Sequence, residues 1–145
     1  MQAIANDPAS RKRTPPTGQP TILLVESDAT VCNLVACLLQ RDGYAVLKAR
    51  QGAEALAFSE EFDGSLHLLF TDLSLGSLMG GRQLAGAVRR ARPGLPVLYM
   101  SGMVEDEGVS EEILRGEARF LPKPFSTFAL VEAVRLSLGR PLSAR

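Results

Sequence analysis

The sequence predicts an α/β domain in which a five-stranded parallel sheet lies between two layers of helices, a three-layer, doubly wound arrangement. Two observations support this prediction. Short, almost wholly apolar runs, as expected of strands buried on both faces, alternate with segments of helical periodicity along most of the chain. The 145 residues are also enough for one domain with a substantial core.

Five apolar runs are predicted to be strands, and four of them lead into a polar residue. The runs cover residues 21–25, 45–49, 66–71, 96–100 and 118–121. The third run is the most apolar, which places it in the centre of the sheet. Glu26, Asp72 and Ser101 follow the first, third and fourth runs, and Lys123 comes shortly after the fifth. Because ligands of such sheets bind beyond the carboxyl ends of the strands, we expect these four side chains at one edge.

Segments with apolar residues at helical spacing are predicted to form five helices. The second is predicted at residues 52–61, and a short, acidic fourth helix at 110–115. The first ends at Asp42-Gly43 and the third stops before Pro93-Gly94. The stripes expected to be buried in the first, third and fifth helices are Val31, Leu34, Val35 and Leu38; Leu84, Val88 and Ala91; and Phe128, Leu130, Val131, Val134 and Leu138.

The two ends of the chain are predicted to lie outside the folded domain, which spans residues 21–139. Residues 1–20 hold four of the nine prolines and the basic triplet Arg11, Lys12 and Arg13, with few large apolar residues, so we expect a disordered tail. Residues 140–145 form a short tail that is too small for an output domain.

Composition excludes several classes of function. The 16 basic and 16 acidic residues cancel, which argues against nucleic acid or a membrane surface as the main partner. No apolar stretch approaches the roughly 20 residues needed to span a bilayer, and the N-terminus lacks the apolar core of a secretory signal. Cys32 and Cys37 lie five residues apart on a predicted helix, so they point in different directions and are not expected to pair. Both are expected to be small buried residues. These features predict a cytoplasmic protein.

The polar residues at the predicted edge suit the phosphorylation of a carboxylate. A carboxylate can form an acyl phosphate, while an ammonium and a hydroxyl can neutralise and hydrogen-bond the phosphoryl oxygens. Taken singly, each residue has a simpler interpretation: Asp72 as a cap or turn residue, Ser101-Gly102 as a turn, and Lys123 as a solvated lysine. His67 is expected to be structural or exposed, because no second His or suitably spaced Cys accompanies it for a metal site.

The segments LLVES, FTDLSLG, VLYMSG and FLPKPF resemble those of response-regulator receiver domains of two-component signalling. They occur in the order and with the spacing of that family from about Thr21 to Leu138. The resemblance implies a flavodoxin-like fold with strand order 2-1-3-4-5. It also implies a signalling function rather than an enzymatic one, with self-phosphorylation and acyl-phosphate hydrolysis as the only chemistry.

The resemblance assigns the acceptor and the metal ligands. Asp72 is the expected phosphoacceptor, which would take a phosphoryl group from a histidine kinase. A Mg²⁺ ion would be held by Glu26, by Asp72 and by the backbone carbonyl of Ser74, together with several waters.

The resemblance also assigns residues that respond to the phosphoryl group. Lys123 is expected to pair with its oxygens, and the hydroxyl of Ser101 to hydrogen-bond one of them. Phe120 lies where the family keeps an aromatic whose rotamer follows this movement, with plain core packing as the alternative. A cis peptide bond is expected between Lys123 and Pro124.

The sequence departs from the family pattern at the end of the first strand. Receivers usually carry two adjacent acids there, and the second binds Mg²⁺ directly, whereas this chain has Glu26 followed by Ser27. Loss of one negative charge predicts weakened Mg²⁺ binding. Asp28 is a possible substitute ligand, but a helical stripe begins just after it, so we favour a helix cap.

A second departure lies after the acceptor. Gly76 stands where the family commonly has proline, and glycines at 80 and 81 follow, which predicts a mobile loop. Leu78 and Met79 in this loop are expected to cover the site or contact a partner. This loop, with the MSGM segment, most resembles receivers of hybrid histidine kinases.

Three functions compete at this point. The first is a stand-alone receiver that accepts or relays a phosphoryl group, with a histidine kinase or phosphotransfer protein as donor. Its downstream partner would bind the face formed by the fourth helix, fifth strand and fifth helix, and a homodimer is possible. The second, motivated by Ser27, is a degenerate receiver whose protein binding ignores phosphorylation. The third, a phosphatase with an aspartyl intermediate, lacks a second acid because that position is Ser74.

Overall fold

The computed structural model describes residues 18–76, 79–102 and 107–139, and its strands and helices alternate throughout these ranges. The strands are β1 Thr21–Val25, β2 Ala45–Ala49, β3 Leu68–Asp72, β4 Val97–Ser101 and β5 Ala118–Pro122. The helices are α1 Ala29–Arg41, α2 Gly52–Glu61, α3 Gly81–Ala91, α4 Glu107–Leu114 and α5 Thr127–Ser137. The five strands form one parallel sheet in the order β2-β1-β3-β4-β5, which confirms the predicted fold class and strand order.

The sheet divides the core into two apolar layers. Alternate residues of β1 show this division: Leu23 and Val25 belong to the layer that includes residues of α2, α3 and α4, and Ile22 and Leu24 to the layer that includes residues of α1 and α5. All five residues of β1, of β3 and of β4 are buried. The carboxyl ends of these strands therefore emerge at one edge of a rigid scaffold.

Two strands extend one residue further towards the predicted edge than their apolar runs do. Asp72 and Ser101 are the last residues of β3 and β4 instead of following them. β3 begins at Leu68 because His67 forms different contacts with β1: its backbone N–H donates to the carbonyl of Thr21 at 2.8 Å, and its Nδ1 accepts from the Thr21 N–H at 2.9 Å. The imidazole thus has a structural role, as predicted.

Three residues predicted to be buried on helices are exposed, and one of them is Ala91, the last residue of α3. Leu34 is 58% exposed, because the buried face of α1 consists of Cys32, Val35, Ala36 and Leu39. Phe128 is 65% exposed, because it lies about 200° around α5 from Leu130, which is fully buried. On α1 and α5, the stripe predicted to be buried was therefore wider than the face that is buried.

Other predictions on the chain have mixed outcomes. Cys32 is buried and Cys37 exposed, and both are free thiols. The interpretation of both as small buried residues is therefore wrong for Cys37.

The predicted tails lie outside the described residues up to position 17 and from position 140. Among the helices of the described ranges, none has the length and apolar character needed to cross a bilayer.

Candidate functional site

The ammonium of Lys123 lies between two buried carboxylates at the carboxyl edge of the sheet. Its Nζ is 2.7 Å from Oδ2 of Asp72 and 2.8 Å from Oε1 of Glu26. The side chain of Glu26 is 2% exposed and that of Asp72 9% exposed, while that of Lys123 is 27% exposed. The fold brings these residues together at the ends of β5, β1 and β3, and we name the three the acceptor site after the role predicted for Asp72.

The environment of Lys123 acts on its pKa in two directions. Burial lowers the pKa of the ammonium, but the hydrogen bonds to Asp72 and Glu26 outweigh burial, so that the net shift is upward. The amine therefore stays protonated near neutral pH. It can act as a fixed positive charge beside the carboxylate of Asp72 and cannot act as a base there.

The turn after β1 uses its acidic residues for local structure. Oε2 of Glu26 accepts the backbone N–H of Asp28 at 3.0 Å, which leaves Oε1 for Lys123. Oδ1 of Asp28 accepts the N–H groups of Thr30 and Val31 at 2.9 and 3.1 Å, which confirms the predicted cap of α1. Ser27 is exposed, and its carbonyl accepts Nε of Arg50 at 2.8 Å.

The loop after β3 holds the carboxylate of Asp72 from its other side. The backbone N–H of Ser74 donates to Oδ1 of Asp72 at 3.0 Å, so the two oxygens of Asp72 have different partners. A Cβ at Gly81 would overlap the backbone carbonyl of Asp72, so the absence of a side chain allows the first turn of α3 to approach β3. Met79 packs against Gly52 of α2, while Leu78, also predicted to cover the site, lies outside the described residues.

The remaining predicted residues lie on β4 and β5. Ser101 is 3% exposed, and its carbonyl accepts the backbone N–H of Lys123 at 2.9 Å. Phe120 is half-buried against the core layer that includes Tyr99, its partner across the β4–β5 pair. The peptide bond between Lys123 and Pro124 is cis, as predicted.

The donor set at this edge is suited to a hard cation but is small. The carboxylates of Glu26 and Asp72, with the predicted carbonyl of Ser74, are oxygen donors of the kind that Mg²⁺ prefers. In the described part of the chain, however, no three His, Cys, Asp or Glu side chains are grouped closely enough to hold a metal ion. These residues therefore fit a Mg²⁺ ion, but they offer two carboxylates where a three-acid site offers three.

A third buried carboxylate, that of Glu112, was not predicted from the sequence. Glu112 of α4 is 6% exposed and accepts hydrogen bonds from Tyr99 of β4 and from Arg82 and Arg89 of α3. A tyrosine within an otherwise apolar buried strand was the available signal, since a buried phenol needs a partner. We name these four residues the Glu112 cluster.

Comparisons with known proteins agree with this geometry. The family model described as the response regulator receiver domain matches residues 22–135. The chain is 32% identical over 136 residues to the sensor kinase CckA of Brucella abortus (strain 2308), covering 94% of this chain and 14% of that protein. It is 35% identical over 111 residues to the nitrogen assimilation regulatory protein NtrX of Azorhizobium caulinodans, covering 76% of this chain and 24% of that protein. The chain thus spans about a quarter or less of these relatives.

Solved structures give the same result. The receiver domain of the hybrid histidine kinase CckA superposes with a TM-score of 0.68 at 33% identity, covering 81% of this chain and 98% of that one. The chemotaxis protein CheY4 of Vibrio cholerae superposes with a TM-score of 0.74 at 25% identity, covering 83% of this chain and 100% of that one. On the family match, the identities and the shared fold, this chain belongs to the response regulator receiver domains of two-component systems.

Proposed function

We propose that this domain accepts a phosphoryl group on Asp72 from a histidine kinase or phosphotransfer protein and then changes a protein-binding surface. Receiver domains are signalling modules that interact with such donors. The observation that carries the proposal is the placement of a buried carboxylate 2.7 Å from a protonated amine at the open edge of the sheet. One exposed free thiol, Cys37, is compatible with the reducing cytoplasm, where we place this exchange.

The chain's own residues supply most of the transfer step. One oxygen of Asp72 attacks the phosphorus of a phosphohistidine, and an O–P bond forms as the P–N bond breaks. The electron pair of the P–N bond leaves with the imidazole nitrogen. Lys123 lies beside the attacking carboxylate and would neutralise the phosphoryl oxygens. The hydroxyl of Ser101 would then hydrogen-bond one of these oxygens, and Phe120 would repack behind it.

Receiver domains generally bind Mg²⁺ at the phosphorylation site. In this chain Glu26, Asp72 and the carbonyl of Ser74 would hold the ion, which when bound supplies positive charge to the transferring phosphoryl group. Ser27 contributes no charge where the family usually has an acid. We therefore propose weakened Mg²⁺ affinity, with Asp28 committed to capping α1 and not to the ion.

The phosphoacceptor is tested by incubation with acetyl phosphate and Mg²⁺ followed by intact-mass measurement. We expect the wild-type protein to gain one phosphoryl group and Asp72→Asn to gain none. Asp63→Asn, the same substitution at an exposed position, is the matched control and should behave as wild type. Identical spectra for wild type and Asp72→Asn would refute the assignment.

The role of Ser27 is tested by Ser27→Asp, which restores the second acid. We expect tighter Mg²⁺ binding, measured by NMR titration of the amides around the acceptor site. A restored carboxylate adds a third negative charge to a site that holds two. Unchanged affinity would show that Ser27 does not limit metal binding.

The output surface is proposed on α4, β5 and α5. Ile113 and Leu136 are about 40% exposed and line one surface groove of roughly 220 Å³ together with Arg119. Leu114, at the end of α4, is 86% exposed. Exposed apolar side chains at a helix end are typical of a protein-binding surface, and a second copy of the domain is one occupant to test by sedimentation.

A phosphorylation-independent interaction module is the second candidate, favoured by Ser27. A pull-down from cell extract with and without beryllofluoride and Mg²⁺ distinguishes the two functions. A phosphoryl-dependent switch predicts partners retained differently in the two arms. Identical retention in both arms favours the constitutive module.

A further inference from the structure

The Glu112 cluster joins α4 to two elements that end at the acceptor site. Tyr99 donates its hydroxyl to Oε1 of Glu112 at 2.8 Å from β4. Arg89 donates to the same oxygen at 3.1 Å, and Arg82 donates its Nε to Oε2 at 3.2 Å. Both carboxylate oxygens are therefore bound, and each of the three donors belongs to β4 or α3.

Two of the donors lie close in sequence to residues that border the acceptor site. Arg82 directly follows Gly81, the residue in contact with the backbone of Asp72. Tyr99 lies two residues before Ser101 in the same strand. One or two residues of regular structure therefore separate each of these donors from the border of the site.

The contacts of the cluster differ in how easily they can change. Tyr99 is fully buried and Arg89 is mostly buried, the latter also donating to the backbone of Leu95 and of Glu117. The side chain of Arg82 is 45% exposed, against 22% for that of Arg89. Arg82 is thus the donor that can leave Glu112 at the lowest cost.

The backbone of α4 is shaped to receive Arg82. A Cβ at Gly108 would overlap the guanidinium of Arg82, so this side chain lies across the first turn of α4 as well as on Glu112. Arg82 therefore contacts α4 at two points separated by one helical turn.

We infer that the Arg82–Glu112 ion pair couples the phosphorylation state of Asp72 to the position of α4. The inference deepens the proposed function and rests on it. The buried contacts of Tyr99 and Arg89 hold one end of Glu112 in place, while movement of the loop after β3 changes the contact made by Arg82. Breaking this ion pair uncouples α4 from the acceptor without altering the acceptor site.

The test is Arg82→Gln, observed by NMR in the full chain with and without beryllofluoride and Mg²⁺. In wild type we expect shift changes both around Asp72 and in α4. In Arg82→Gln the changes around Asp72 remain, while those in α4 fall to less than half. Arg90→Gln, which removes an exposed arginine from the same helix, is the matched control and should respond as wild type.

Gly108→Ala supplies a second variant that keeps every charge. Its methyl group displaces Arg82 from α4, so it should reproduce the reduced α4 response of Arg82→Gln. A full α4 response in either variant, with a responsive acceptor site, overturns the coupling and leaves the proposed function intact. A wild-type acceptor site that does not respond at all counts against the proposed function, and the coupling fails with it.

Discussion

The acceptor site and the Glu112 cluster both place carboxylates against cations inside the fold, yet their charge balance is opposite. In the acceptor site Glu26 and Asp72 contribute two negative charges against one positive charge from Lys123, a net charge of −1. In the cluster, Glu112 contributes one negative charge against two from Arg82 and Arg89, a net charge of +1. Burial is similar, since the three carboxylate side chains are 2–9% exposed.

This difference indicates that burial alone does not mark a functional carboxylate. Every oxygen of Glu112 has a donor, so this carboxylate holds α4 against β4 and α3. The two acceptor-site carboxylates share one ammonium, so the site retains negative charge for a further cation. A pair of buried carboxylates that is only partly neutralised, at the open edge of a parallel sheet, is a more informative signal of function than burial alone.

The largest expected effect is removal of the shared cation. Lys123→Met leaves two carboxylates facing each other and should lower the free energy of unfolding by about 3 kcal/mol at neutral pH. Added Mg²⁺ should recover part of this loss, because the folded state then binds the dication more tightly. Urea unfolding with and without Mg²⁺ measures both effects.

Lys48→Met is the matched control for this prediction. Lys48 donates to Oδ1 of Asn33 in an exposed hydrogen bond, so its loss should change the free energy of unfolding by less than about 0.5 kcal/mol. Equal losses for the two lysines would contradict the view that Lys123 is the shared counter-ion of a buried pair.

The same kind of substitution should have unequal effects in the two regions. Glu112→Gln leaves two guanidinium groups without their anion and should cost about 2 kcal/mol in urea unfolding. Asp72→Asn relieves the repulsion with Glu26 and keeps a neutral acceptor site, so it should stay within about 1 kcal/mol of wild type. A larger loss for Asp72→Asn than for Glu112→Gln would reverse the comparison.

The close approach of α3 to the acceptor is tested by two glycine substitutions on that helix. Gly81→Ala should lower the free energy of unfolding by about 2 kcal/mol, because the backbone of Asp72 must move. Gly86→Ala, where a Cβ meets open space, should raise it by about 1 kcal/mol through helix propensity. Thermal unfolding of both variants gives the sign of each change, and a stabilising Gly81→Ala would contradict the packing.

Alkaline pH should weaken both regions. Burial, followed by the hydrogen bond to Glu112, raises the pKa of Tyr99, and the hydrogen bonds of Lys123 outweigh burial and raise its pKa as well. A raised folded-state pKa gives stability that is complete below the unfolded-state value and is lost as pH rises through the folded-state value. Above about pH 10 each group should therefore cost up to about 1.4 kcal/mol per pH unit.

Tyr99→Phe separates the two contributions to this loss. The variant should show a shallower decline between roughly pH 10 and 11, because one of the two groups no longer titrates. Urea unfolding at successive pH values measures the slope. An unchanged slope would mean that Tyr99 does not contribute.

The sequence predicted the fold and the acceptor site because both depend on short-range patterns. Buried parallel strands are nearly continuous apolar runs, and their carboxyl ends meet at one edge. The sequence alone therefore places Glu26, Asp72 and Lys123 together. The exposure of Leu34 and Phe128 was missed because apolar residues flank the buried stripe on both helices. The pairing of Glu112 with Tyr99 joins residues whose contact depends on the exact packing of α4, which no spacing rule gives.

The smallest expected effect distinguishes a cap from a metal ligand beside the acceptor site. Asp28→Asn keeps a side-chain oxygen for the N–H groups of Thr30 and Val31, so the free energy of unfolding should change by less than about 0.5 kcal/mol. Mg²⁺ affinity, measured by NMR titration, should also stay within about twofold, whereas a direct ligand would lose far more when its charge is removed. A tenfold or greater loss of affinity would place Asp28 among the metal ligands and would mean that this carboxylate compensates for the acid absent at Ser27.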